Sequence, residues 1–96
     1  MFLSRLFKIK DSGELKQKIQ DGATLLDVRS KEEYKAGNAR GSINIPLDEL
    51  PKKVGALNKN SPVVAVCASG ARSAQAVRLL KTEGFEAYNG GGWHLF

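Results

Sequence analysis

The sequence contains one strong nucleophile, the thiol of Cys67, its only cysteine. Four apolar residues, 63–66, lead directly into it, and small residues and an arginine follow. This order predicts a buried strand that ends at a tight loop, with a helix beginning just beyond. Main-chain N–H groups at a helix N-terminus, and the positive end of the helix dipole, favour the thiolate over the thiol. We therefore predict a reactive sulfur beside a small anion site.

The loop after Cys67 supplies the groups that could hold a substrate against the sulfur. Successive backbone amides in such a loop can converge into a concave nest if Gly70 takes a positive φ. The residues of the predicted substrate-binding nest are Ala68, Ser69, Gly70, Ala71, Arg72 and Ser73. No histidine precedes Cys67, and His94 is the only one in the chain. A Cys-His pair is therefore not expected, and the Cys67 thiol would be activated by backbone dipoles, the helix terminus and Arg72.

Each of these residues also has a purely structural interpretation. A single cysteine after a buried strand is often only a small buried hydrophobe. Arg72 could form a structural ion pair with a carboxylate. Ser73 could serve first as a residue of the N-terminal helical turn and only second as a contact to the sulfur. The offsets of Gly70, Arg72 and Ser73 from Cys67 favour the reactive interpretation.

The elements that position this loop follow from the pattern of apolar and polar residues. Short apolar runs alternate with amphipathic stretches, which predicts an α/β fold with helical crossovers between strands. Strands are expected over residues 24–28, 42–45, 63–66 and 85–88. Helices are expected from a cap at Ser12, from a capping box at 30–33, in one or two short pieces over 47–57, and over 73–83. Gly37 and Gly84 are predicted to end two helices, and residues 89–92 to form a turn.

Polar residues stand at the carboxyl ends of two predicted strands. Asp27 and Arg29 follow one apolar run, and Cys67 follows another. Sites in open α/β sheets lie beyond the carboxyl ends of the strands, so the three residues are candidates for one crevice. A buried aspartate at such a point usually accepts main-chain or arginine hydrogen bonds. We therefore expect Asp27 and Arg29 to support the crevice and not to react.

Four segments, in this order, resemble the rhodanese homology domain, and in particular its single-domain sulfurtransferases. Leu-Leu-Asp-Val-Arg at 25–29 is similar to the family's Asp-Val-Arg signature, and Gly-Ser-Ile-Asn-Ile-Pro at 41–46 to its next block. The loop at 67–73 matches its Cys-x-x-Gly-x-Arg-Ser pattern, and Gly-Gly-Gly-Trp at 90–93 its C-terminal block. The ordered combination is more specific than any one piece. The resemblance implies a three-layer α/β/α fold with a mainly parallel sheet of about five strands.

The resemblance implies sulfur transfer by double displacement. The Cys67 thiolate would take a sulfane sulfur from a small anionic donor such as thiosulfate and pass it to cyanide or a cellular thiol. Arg72 would hold the oxyanion tail of the donor through its forked N–H groups. No second cysteine can resolve the persulfide, so the sulfur must leave to another molecule, which a sulfur-accepting protein could also be. Neither metal-ligand spacing nor a dinucleotide motif is present, and no cofactor is expected.

Three other functions compete with a free sulfurtransferase. A persulfide carrier would use the same chemistry with a partner protein. A non-catalytic binding module of this family would lack the cysteine. A phosphatase or arsenate reductase of related fold would place five residues between cysteine and arginine, where this chain has four, 68–71. The shorter loop favours one sulfur atom over a tetrahedral oxyanion.

Composition limits the remaining possibilities. The length of 96 residues suits a single domain over 1–96, and one cysteine allows no internal disulfide, which favours a cytoplasmic location. The net charge of +5 comes from scattered basic residues without interleaved aromatics, so no nucleic-acid partner is expected. No apolar stretch has membrane-spanning length, and the first seven residues lack a secretory apolar core. We expect a monomer.

Overall fold

The computed structural model describes residues 11–96, and its centre is a parallel sheet of four strands in the order β2-β1-β3-β4. The strands are β1 (Thr24–Asp27), β2 (Ile43–Asn44), β3 (Val63–Cys67) and β4 (Ala87–Gly92). The helices are α1 (Ser12–Gln20), α2 (Lys31–Ala36), α3 (Leu50–Lys53) and α4 (Ala71–Thr82), with 3₁₀ turns at Val54–Ala56 and Trp93–Leu95. The predicted α/β class is confirmed, with four strands in this part of the chain against about five expected.

Residues 1–10 lie outside the described part of the chain. The prediction that no secretory signal is present concerns these residues, so it also lies outside the described part. The longest described helix, α4, has 12 residues. None of the helices over residues 11–96 has the length and hydropathy of a membrane span.

The sheet is covered by apolar side chains on both faces. One face packs Leu26 and Ala65 against Leu80 of α4 and Leu50 of α3. The other face packs residues of β1 and β3 against Leu15 of α1. All five residues of β3 are at most 1% exposed, which explains its continuous apolar run. Strand β3, one of the two inner strands, is thereby held on both faces, and its last residue is Cys67.

Two predicted helix boundaries differ from those observed. The N-cap of α1 is Asp11 and not Ser12, because the Asp11 carboxylate accepts the Glu14 N–H at 2.9 Å. Helix α4 begins at Ala71, two residues before the expected Ser73, because its N-cap is the glycine of the cysteine loop. The capping box is confirmed: Ser30 Oγ accepts the Glu33 N–H, and the Glu33 carboxylate accepts the Ser30 N–H. Gly84, at φ +92°, follows the end of α4 as predicted.

The glycine-rich stretch at 89–92 is part of β4, so the prediction of a turn there is wrong. The pairing of β4 with β3 shifts by one residue between Asn89 and Gly91, which leaves Gly90 as the extra residue of a bulge. A Cβ at Gly90 would lie 2.9 Å from Val66 Cγ1 and 3.0 Å from Val64 Cγ1. Gly90 thus allows β4 to lie close against the valines of β3, a tertiary requirement that local turn preferences do not show.

Replacing Gly90 with alanine is expected to destabilise the fold by about 1–3 kcal/mol, because the new methyl group overpacks the two valines. Urea unfolding would measure the loss. Gly55→Ala is the matched control, since a Cβ there has no neighbour within 4 Å, and its effect should stay within about 0.5 kcal/mol. Equal effects of the two substitutions would contradict the packing explanation.

Candidate active site

The Cys67 sulfur lies at the carboxyl end of β3, beneath the loop that leads into α4. Cys67 is 1% exposed, whereas Ala68 and Ser69 of the loop are exposed. The Gly70 N–H donates to Sγ at 3.0 Å and the Ser73 N–H at 3.4 Å. The Ser73 hydroxyl oxygen lies 3.4 Å from the same sulfur. Two backbone N–H groups and one hydroxyl oxygen of the protein therefore lie around the sulfur.

The sulfur acts as the N-terminal cap of α4. Gly70 occupies the N-cap position at φ +107° and has no side chain to accept the free amides of the first turn. Ser73 is the third residue of the helix, and its N–H donates to the sulfur of Cys67 in place of a capping side chain. An anion at this position also gains from the helix dipole. The predicted nest is thus formed mainly by the amides of Gly70 and Ser73.

The surroundings of Cys67 lower its pKa from 9.0 to about 7. Burial is the largest single influence and raises the pKa, because it disfavours the charged form. Hydrogen bonds from the Ser73 hydroxyl and from the amides of Ser73, Gly70 and Ser69 together outweigh burial and lower it. A large fraction of the sulfur is then thiolate at neutral pH, the form that attacks electrophiles.

Asn89 of β4 holds the loop from the neighbouring strand. Its Nδ2 donates to the Gly70 carbonyl at 3.0 Å, and its Oδ1 accepts the Ser73 hydroxyl at 2.7 Å and the Gly91 N–H at 2.9 Å. One carboxamide therefore fixes the turn of the loop and the hydroxyl that touches the sulfur.

Arg72 forms a bidentate ion pair with Glu33 of α2. Nη1 donates to Oε1 at 2.7 Å and Nη2 to Oε2 at 3.0 Å. The hydrogen bonds from Arg72, followed by that from the Ser30 N–H, lower the pKa of Glu33 from 4.5 to about 2. The same glutamate closes the capping box of α2, so it joins the first turns of α2 and α4. The alternative in which Arg72 pairs with a carboxylate is thus present in the structure.

Asp27 and Arg29 form a buried ion pair under the site. They are 0% and 4% exposed, and the Arg29 Nε and Nη2 groups and its backbone N–H all donate to the Asp27 carboxylate at 2.8–3.0 Å. Arg29 also donates to the carbonyl of Glu33, in the first turn of α2, and to that of Gly37, at its C-terminal end. Its guanidinium lies 4.5 Å from the centre of the Trp93 ring. The pair thereby links β1, α2 and the C-terminal turn.

The model of the rhodanese-like domain family matches residues 11–95 of this chain. The chain belongs to the rhodanese-like domain family. The thiosulfate sulfurtransferase PspE of Escherichia coli is 36% identical over 70 residues, which cover 70% of this chain and 67% of PspE. The structure of the human single-domain sulfurtransferase TSTD1 superposes with a TM-score of 0.73, at 31% identity and 88% coverage of each chain.

A Bacillus subtilis protein, YrkF, provisionally named a sulfur carrier, is 41% identical over 73 residues. The match covers 74% of this chain and 40% of YrkF, so the rhodanese-like chain spans less than half of that relative.

The rhodanese-like fold brings together only some of the predicted site residues. Gly70 and Ser73 contact the sulfur, and Ser69 contributes through its amide. Ala68, in the loop, and Ala71, the first residue of α4, are exposed. Asp27 and Arg29 are occupied with each other in the buried ion pair, and their supporting role stays a prediction.

Two residues of this rhodanese-like site, Asn89 and Glu33, are not predicted from the sequence. The glycines that follow Asn89 predict a turn there. In the structure Asn89 lies on β4, the strand beside β3, and contacts the cysteine loop. Glu33 is explained by its capping box alone, and its second role appears only when α4 brings Arg72 alongside. The sequence signal that could have indicated Asn89 is its position directly after the strand predicted over 85–88, which follows the cysteine helix.

Proposed function

We propose that this protein is a sulfurtransferase that carries a sulfane sulfur as a persulfide on Cys67. The observation that supports it most is the position of the sulfur at the N-terminus of α4, with two backbone amides and a hydroxyl around it. Such an environment stabilises a negative charge on Cys67 Sγ, first in the attacking thiolate and later in the thiolate that leaves when the persulfide is discharged. The names of PspE and TSTD1 agree with this activity.

The proposed reaction has two displacements that balance without an oxidant or a reductant. The Cys67 thiolate attacks the outer sulfur of thiosulfate, the sulfur–sulfur bond of the donor breaks, and sulfite leaves with its electron pair. A thiolate or cyanide acceptor then attacks the outer sulfur of the persulfide, and the Cys67 thiolate is released. Ping-pong kinetics follow from the covalent intermediate.

Arg72 is the proposed contact for the oxyanion tail of the donor. Two of its five guanidinium N–H groups bind Glu33, and the others are available for a sulfonate oxygen. A groove of about 460 Å³ opens beside Arg72, between the first turn of α2 and the segment before α3. Charged groups of both signs line this groove, among them Lys31 and Asp48. It offers room for a donor or a small acceptor beside Arg72, although Cys67 itself does not line it.

A protein-to-protein relay is the second candidate, supported by the sulfur-carrier name of YrkF and by the single cysteine. A carrier would form the same persulfide but would receive its sulfur from a protein and not from free thiosulfate.

The intact mass of the protein after incubation with thiosulfate tests the proposal. A gain of about 32 Da, one sulfur atom, is expected from a covalent intermediate, and cyanide should remove it. Protein blocked beforehand with iodoacetamide is the control, because Cys67 is the only thiol in the sequence. Absence of the adduct with thiosulfate, together with its formation from a protein persulfide donor, would replace the free enzyme with the relay. Absence with both donors would refute sulfur transfer.

A further inference from the structure

The orientation of the Asn89 carboxamide is determined by two backbone groups. Nδ2 lies 3.0 Å from the Gly70 carbonyl, which can only accept, and Oδ1 lies 2.9 Å from the Gly91 N–H, which can only donate. Exchanging the oxygen and the nitrogen would set like groups against each other at both ends. The atom that faces Ser73 is therefore the carbonyl oxygen.

This orientation determines where the Ser73 hydroxyl proton lies. Ser73 Oγ is 2.7 Å from Asn89 Oδ1, which has no proton to give, so the hydroxyl donates to the amide. A hydroxyl has one proton, so Oγ presents lone pairs to Cys67 Sγ at 3.4 Å. That arrangement suits a thiol, whose S–H can donate to Oγ, and it does not suit a thiolate.

We propose that Asn89 is a positioning residue that withholds the Ser73 hydroxyl proton from the sulfur while Cys67 is a thiol and releases it when the sulfur becomes charged. When the S–H proton leaves to solvent, the hydroxyl rotates from Asn89 Oδ1 to Sγ. Oδ1 keeps its hydrogen bond from the Gly91 N–H, so the rotation leaves no polar atom of Asn89 without a partner. Asn89 thus competes with the thiolate for one proton.

The catalytic meaning of this competition rests on the proposed sulfur transfer. In that reaction the Cys67 sulfur is the nucleophile of the first displacement and the leaving group of the second. It carries full charge on both occasions, and the same rotation of the Ser73 hydroxyl stabilises it each time. A hydrogen bond to an ionised acceptor is stronger than one to a neutral amide, so the rotation is favourable once the charge is present.

We expect the charged and titratable groups near the cysteine loop to stay in place when Asn89 is replaced by a neutral residue. They belong to the elements packed around the loop and contact partners other than Asn89. These groups are the ion pair of Arg72 with Glu33, the ion pair of Asp27 with Arg29, and His94, whose ring lies against Gly92. A change in the titration of Cys67 on neutral substitution of Asn89 therefore reports the hydroxyl and the loop.

The test is a titration of Cys67 by the ultraviolet absorbance of the thiolate, without any sulfur donor, with Cys67→Ser as the blank. Asn89→Ala frees the Ser73 hydroxyl, and the pKa of Cys67 should fall by about 0.5–1 unit, the equivalent of one ordinary hydrogen bond. Asn89→Asp keeps the acceptor and adds a negative charge, so the pKa should rise. The Asn89 side chain is exposed, so neither variant opens the core.

A second pair of variants separates proton positioning from support of the loop. Ser73→Ala removes the hydroxyl and should raise the pKa of Cys67, and adding Asn89→Ala to it should then produce no further shift. A pKa that rises in Asn89→Ala, or a fall that persists without the Ser73 hydroxyl, overturns the proposal in favour of a role for Asn89 in loop support alone.

The persulfide mass assay on the same variants keeps the two proposals apart. Shifts in the expected directions with no persulfide would support the proton competition and refute sulfur transfer. A persulfide without the pKa shifts would support sulfur transfer and refute the proton competition.

Discussion

Replacing Asp27 with alanine is expected to destabilise the protein by about 3–5 kcal/mol, because the substitution leaves the Arg29 guanidinium buried without its counterion. Arg29 is only 4% exposed, so water cannot take over from the missing carboxylate. The carbonyls of Glu33 and Gly37 would remain as partners, but they carry no full charge. A loss of this size is a large part of the stability of a small domain.

Thermal and urea unfolding would measure the effect, and a fall of roughly 15 °C or more in Tm is expected for a chain of this length. Glu49→Ala is the control, since it removes an exposed ion pair with Lys53 and should leave the midpoint nearly unchanged. Asp27→Ala combined with Arg29→Met should recover part of the loss, because no unpaired charge remains buried. A single-variant loss below about 1 kcal/mol would show that the pair is not a structural support.

The elements nearest to the cysteine were the most predictable from sequence. The run 63–66 is apolar throughout and corresponds to a strand buried on both faces, and Ser30 and Glu33 form the capping box that their spacing indicates. Both depend on local rules of periodicity and capping. Cys67 could be placed at a helix N-terminus for the same reason.

The remaining features depend on contacts between distant segments. The glycines at 90–92 indicate a turn locally, but Gly90 lies in β4 because its neighbours are two valines of β3. Asn89 reaches the cysteine loop through the register of the same strand pair. Glu33 and Arg72 are 39 residues apart, and nothing in the local sequence around either residue identifies its partner. The position of the sulfur at the N-terminus of a helix could thus be anticipated, whereas the side chains that orient its loop could not.

Replacing Cys67 with serine is expected to lower the rate of sulfur transfer from thiosulfate to cyanide by at least roughly 10³-fold, because the covalent step depends on this nucleophile. A serine hydroxyl stays protonated where the cysteine has a pKa of about 7, and oxygen cannot form the persulfide. The backbone donors to the site would remain, since a serine oxygen can also accept the N–H groups of Gly70 and Ser73. The substitution therefore removes the chemistry and retains the cap of α4.

Production of thiocyanate would measure the rate, and the urea midpoint would show that the variant is folded. The midpoint should move little, because the free energy of unfolding changes by about 1 kcal/mol or less when a hydroxyl replaces a thiol among polar donors. Ser73→Ala is the informative comparison: it keeps the sulfur but removes one of its hydrogen bonds, so its rate should fall far less than that of Cys67→Ser. If the folded serine variant kept the rate within tenfold of the unmodified protein, sulfur could not travel through Cys67. Because the chain contains no other thiol, the persulfide mechanism itself would then be excluded.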